Sequence, residues 1–231
     1  MPVPKRPPWS LKESVIVGII VFAITNLVAI FVLLQSQEIN LKVYFFSIFI
    51  QTITIFFGIE IVLARHKIGF RYLGLKDKKW LSHLSKGFLW GIIIFILVTL
   101  TNALLMIFLP YEPPPQDLVV IALDEINNPR SLLLLFILAS FLAPLGEELY
   151  FRGFLYPAIA KHTGNIAGML ITSIVFGALH LSWPQFLPLT LGGLFLNWLY
   201  FKEGSLYTAI AAHSMWNALA IIILALVPRL I

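Results

Sequence analysis

Pro144-Leu145-Gly146-Glu147-Glu148-Leu149-Tyr150-Phe151-Arg152-Gly153 places two adjacent acids and an arginine inside sequence that otherwise reads as membrane-embedded. Each ionised side chain at mid-bilayer costs about 2.5–3.5 kcal/mol on insertion scales. Three of them within six residues require a partner, a watery cavity or a reaction. The surrounding composition sets the class, because 59% of the 231 residues are hydrophobic and only 12% are charged, against roughly 25% charge in soluble domains. Mean hydropathy is +0.92. The expected fold is all-α: a polytopic protein forming one membrane domain over residues 1–231. N-terminal spans and loops occupy 1–130, and a helical core over 131–228 encloses a polar cavity.

N-terminal to the quoted stretch, apolar runs extend from about Val15 to Leu34 and from the turn at Gln35–Lys42 to about Ala64. Each is long enough for the roughly 30 Å hydrocarbon core. The first exceeds a signal-peptide apolar segment, and no small-residue cleavage site follows it. Arg65, Lys67, Arg71, Lys76, Lys78 and Lys79 then face a single acid, Asp77. The positive-inside rule puts this loop, and the N-terminus with Lys5 and Arg6, in the cytoplasm. The net charge of +5 is therefore read as topology and not as nucleic-acid binding. A third span covers 87–109. The acidic segment 110–130, with Pro113-Pro114-Pro115, suits a non-cytoplasmic loop whose apolar centre, Leu118 to Leu123, rests on the membrane surface.

On the C-terminal side, Pro144 divides 131–145 from 147–160 as spans four and five, with one long kinked helix as the alternative. Runs at 165–181, 185–201 and 205–227 complete about eight spans. That count puts Arg229 inside and Glu147 near the cytoplasmic side. The absence of cysteine excludes disulfides, thiolate metal sites and a cysteine nucleophile.

Three short polar patterns fall in this half. In Glu147-Glu148-x-x-x-Arg152, Glu148 and Arg152 share a helix face while Glu147 points about 100° away. Phe176-x-x-x-His180 sets an aromatic wall one turn below an imidazole. His213-x-x-x-Asn217 brings an imidazole and a carboxamide to one face. A carboxylate and a histidine can take a proton from water, while a second histidine and an amide N–H can stabilise an oxyanion. Alternatively, Glu147, His180 and His213 could ligate zinc, leaving a fourth position for water.

These three motifs, in this order inside a polytopic chain, resemble the CAAX-protease and bacteriocin-processing family, which includes the Ras and a-factor converting enzyme. The similarity covers about Leu132 to Leu226. It implies an intramembrane endopeptidase acting on a peptide or lipidated-protein substrate at the lipid membrane. Glu147 and His180 would activate the water, His213 and Asn217 would line the oxyanion site, and Glu148 and Arg152 would support them. The absence of a His-Glu-x-x-His motif favours a glutamate-dependent reaction with no required cofactor over a zinc metalloprotease.

Blander readings stand beside these. Glu148 and Arg152 could be a structural ion pair, and the polar set could serve helix packing in a non-catalytic immunity or scaffold protein. A proton-coupled transporter would fit Glu147 but lacks internal repeats. The six tryptophans, Trp9 among them, read as interface anchors or packing. His66, His83 and His162 read as loop or interface residues, and Asn26, Asn102 and Asn197 as contacts between helices.

Overall fold

The computed structural model describes residues 6–75, 79–108 and 117–226. Pro113-Pro114-Pro115, Lys5, Lys76, Asp77, Lys78 and Arg229 lie outside them. All regular elements among the described residues are helical: α1 (Leu11–Ser36), α2 (Leu41–Arg65), α3 (Trp80–Phe108), α4 (Asp117–Asp124), α5 (Pro129–Thr163), α6 (Asn165–Leu179), α7 (Trp183–Glu203) and α8 (Leu206–Leu226). By length and composition, α1, α2, α3, α5 and α8 can each cross a membrane, and α6 is a shorter apolar helix. The protein is an all-α polytopic membrane protein.

Local sequence accounts for the helix ends. Ser10 and Glu13 form a reciprocal capping box at α1, Asn40 caps α2 through Lys42 N and Val43 N, and Asn128 with Pro129 opens α5. Large apolar side chains then cover the outside, among them Leu27, Leu34, Ile107 and Phe108, as a lipid-facing surface requires.

Spans four and five are one helix, α5. Pro144 does not break it, because the helix widens into a π-turn over Leu138–Leu142 just before the proline. A second π-turn, Leu149–Leu155, precedes Pro157 in the same way. A π-turn moves the backbone off the carbonyl that a proline ring would otherwise strike. Glu147 consequently sits in mid-helix and not near one end.

This merger also changes the path of the chain. Segment 6–10, the turn at 70–75, the α5–α6 junction and the α7–α8 turn gather at one end of the bundle. They are joined there by Lys161 Nζ to Pro7 O at 3.2 Å, Tyr72 OH to Arg6 O at 2.8 Å and Leu206 N to Gly74 O at 3.3 Å. Since α8 starts at that end, its last turn lies at the other, where Leu224 packs with Tyr44, Leu118 and Leu135.

Several single-residue expectations change. Trp9 is no interface anchor: it is 1% exposed, donates from Nε1 to Phe154 O at 3.1 Å and stacks on the Phe154 ring. Helix α4 packs one face into the bundle, where Ile121 and Ala122 are buried with Leu135, and leaves Val120 and Leu123 exposed. His83 is buried within α3, 3.0 Å from Thr208 Oγ1. Asn26 bonds back to Phe22 O in its own helix, whereas Asn102 reaches Gln185 on α7 and Asn197 reaches Ser173 and Met169 on α6.

Helices α3 and α8 meet along a seam of small residues. A Cβ at Gly87 would lie 2.6 Å from Ala211 Cβ, and one at Gly91 would lie 2.5 Å from Ala212 O. Only glycine admits this approach. The seam fixes α8, the helix that carries His213.

Candidate active site

The site forms where α5, α6, α7 and α8 converge. The short α-helical turn Ala143–Glu148 lies between the two π-turns of α5 and presents Glu147 and Glu148. Glu148 is wholly buried. Its Oε1 accepts from Arg152 Nη1 at 2.7 Å and lies 2.8 Å from His213 Nδ1. Arg152, also wholly buried, donates from Nη2 to Gly193 O at 3.2 Å and lies 4.5 Å from the centre of the Phe176 ring. A Cβ at Gly193 would stand 3.1 Å from the Phe176 ring and 3.4 Å from the guanidinium. That glycine therefore makes room for both.

The expected pairing of Glu148 with Arg152 is thus present, and His213 joins it. With Nδ1 turned to Glu148, the opposite ring nitrogen, Nε2, lies 3.8 Å from Glu147 Oε2. That is too long for a direct hydrogen bond, so the two groups border one small space. The His213 ring stacks on Trp216 at 5.2 Å and meets the edge of Phe176 at 5.8 Å. The ring is clamped on both sides. A hydrogen bond to one nitrogen sets the role left to the other. Held through Nδ1–H, the imidazole offers Nε2 as an acceptor, or as a donor once a second proton is bound.

Glu147 is the more open acid, its side chain 14% exposed. The Tyr44 phenol of α2 lies near enough to feel its charge. His180 is exposed at the C-terminal end of α6. Its Nδ1 is 2.7 Å from Phe176 O, and its ring lies 4.7 Å from that of Phe176. No hydrogen bond or ion pair joins His180 to Glu147 or His213 among the described residues. They lie instead at similar contour distances from the α5–α6 junction. From the tight α5–α6 junction at Gly164, a rise of 1.5 Å per residue puts both Glu147 and His180 roughly 22–24 Å along their helices. Asn217, one turn beyond His213, donates from Nδ2 to Ala139 O on α5 at 2.9 Å.

Six expected residues therefore divide into a tight core of Glu147, Glu148, Arg152 and His213, with His180 and Asn217 around it. Among the described residues no three His, Cys, Asp or Glu side chains stand close enough to hold a metal ion. Glu147, His180 and His213 do not converge as a zinc set among the described residues. Gly193, Trp216 and Tyr44 were not anticipated as site residues. Gly193 and Trp216 carried only a packing signal in the sequence, and Tyr44 carried none.

Buried atoms at the centre lack partners: Glu148 Oε2 and Arg152 Nε have none among the described residues. A partly satisfied charge cluster is costly for stability, and such clusters collect at functional sites.

Residues 129–219 match the family described as type II CAAX prenyl endopeptidase Rce1-like. That segment, 91 of the 231 residues, is similar to the Rce1-like family. All six expected site residues fall within it, so the resemblance drawn from the motifs holds there. The chain is 30% identical over 89 residues to "Putative membrane peptidase YdiL" of Bacillus subtilis, covering 38% of this chain and 36% of that protein. It is 28% identical over 97 residues to an uncharacterized protein of Mycoplasma capricolum, covering 40% of this chain and 28% of that one. The chain thus spans about a third of the length of these curated relatives. No solved structure gives a significant match.

Proposed function

We propose that the protein is an intramembrane endopeptidase of the CAAX type, which hydrolyses a peptide bond of a lipidated or membrane-borne peptide by means of an activated water. The observation that carries this reading is the buried Glu148–Arg152–His213 cluster, which aims His213 Nε2 into the space beside Glu147. Arg152 offsets Glu148, and among the described residues no lysine or arginine pairs with Glu147. It is the acid left over for chemistry.

Glu147 takes the proton from water as the oxygen attacks the scissile carbonyl, with His180, at a similar contour distance from the α5–α6 junction, as its partner. His213, protonated on both nitrogens and held through Nδ1–H by Glu148, donates from Nε2–H to the developing oxyanion, and the proton on Glu147 passes to the leaving amine. Each proton transfer of this kind contributes about 10²–10⁴-fold. Glu148 and Arg152 touch neither water nor substrate. They hold the imidazole.

The N-terminus is cytoplasmic in this reading. In support, Arg6, Arg71, Lys161 and Lys202 lie in or beside the segments gathered at one end of the bundle, the arrangement the positive-inside rule requires.

The test is cleavage of a fluorescent prenylated peptide by purified protein in liposomes. Glu147→Gln should lose at least ~100-fold in kcat while keeping the melting temperature of the parent. Full activity in that variant sinks the assignment. Retained activity in His180→Ala would remove His180 from the reaction and leave Glu147 in it.

A further inference from the structure

The two π-turns of α5 end alike. Ala143 N–H bonds to Leu138 O and Tyr156 N–H to Phe151 O, each five residues back. The next residue is proline both times, Pro144 and Pro157. A proline nitrogen carries no hydrogen. In the five-residue register, Pro144 stands opposite Ala139 O, and Ala143, the donor that an ordinary α-helix would supply there, is already spent on Leu138 O. Ala139 is 2% exposed, so bulk water does not reach it. The group that does bond to this carbonyl is Asn217 Nδ2, at 2.9 Å.

The position matters because of what flanks it. Asn217 follows His213 by one turn on α8, and Glu147 follows Pro144 by three residues on α5. The Asn217–Ala139 bond therefore ties together the two helices whose side chains meet at the 3.8 Å Glu147–His213 gap.

We propose that Asn217 is a positioning residue. Its amide replaces the N–H that Pro144 lacks, and so fixes the register in which α5 presents Glu147 to His213. The bond is independent of the reaction, while its effect on turnover rests on the peptidase reading.

The experiment is a cycle of Pro144→Ala, Asn217→Ala and the double variant, read by melting temperature in detergent and by kcat and KM in liposomes. Alanine at 144 gives Ala139 O a backbone donor in either register, from residue 144 if the π-turn stays and from Ala143 if it relaxes to an α-turn. Asn217→Ala alone should lower the melting temperature and reduce kcat about tenfold at unchanged KM, the size of effect expected for one buried acceptor left bare. In the Pro144→Ala background the same substitution should change kcat less than about threefold and leave the melting temperature unmoved, as coupling through one shared bond requires. Asn217→Asp, which keeps the shape and loses the N–H, should behave as Asn217→Ala does. Equal losses in both backgrounds would overturn the proposal and return Asn217 to the oxyanion. If no parent activity is found on any peptide, the peptidase reading fails and the melting cycle alone decides the role of Asn217.

Discussion

Replacing Arg152 by methionine keeps the length and apolar stem of the side chain and removes the cation from the centre of the protein. Glu148 would then lie fully buried, with Oε1 facing only His213 and Oε2 facing nothing. Breaking a buried pair by deleting one partner costs about 3–5 kcal/mol, and the lost contact with the Phe176 face at 4.5 Å adds to that. For a domain of this size about 2–4 °C of melting temperature corresponds to each kcal/mol, so Arg152→Met should melt roughly 6–20 °C lower. Thermal unfolding in detergent, followed by the fluorescence of the six tryptophans, measures it. The companion variant Arg152→Met with Glu148→Gln removes the stranded charge and should regain at least half of the loss. A shift below about 3 °C in Arg152→Met, or no recovery in the double variant, would refute the view that the guanidinium is there to offset a buried carboxylate.

Other substitutions probe different parts. Gly91→Ala forces a methyl against Ala212 O and should cost about 1–3 kcal/mol, with a fall in kcat because α8 carries His213; melting and turnover measured together check it. Trp9→Ala removes a buried ring and its bond to Phe154 O, and should cost about 3–5 kcal/mol, seen as faster proteolysis of the N-terminal segment. Gly192→Ala would bring a methyl to 2.7 Å from the Trp216 ring that stacks on His213, and Gly193→Ala to 3.1 Å from Phe176 and 3.4 Å from the Arg152 guanidinium; both should lower turnover, Gly192→Ala the more, and parallel assays of the two rank them.

The membrane class and the three motifs were legible because each rests on a local signal: runs of apolar residues, and polar residues three or four apart on one helix. Trp9 was misjudged because an aromatic next to Lys5 and Arg6 has the composition of an interface anchor, and only the distant Phe154 carbonyl shows otherwise. Pro144 was taken as a break since a proline cannot serve a regular α-helix. What rescued the helix was a change of register, which leaves no mark on hydrophobic periodicity. The pairing of Glu147 with His180 came from the resemblance to the family and not from a local signal, and no direct bond joins the two side chains among the described residues. The contact that forms is with His213, which reaches both acids through different ring nitrogens. The packing of α4 on Leu135 was not legible, because a short apolar stretch fits a membrane surface and a protein core equally well.

If the protein is the proposed peptidase, the similar contour distance of Glu147 and His180 from the α5–α6 junction amounts to a ruler. Both lie about 22–24 Å from the α5–α6 junction, and an extended chain covers at most about 3.3–3.6 Å per residue. A peptide whose free end remains level with that junction must therefore extend at least roughly six or seven residues before a bond can reach the acid. Tails shorter than this would be cut only if the whole substrate sinks into the bilayer. Cleavage position would then be set by distance as much as by side-chain identity.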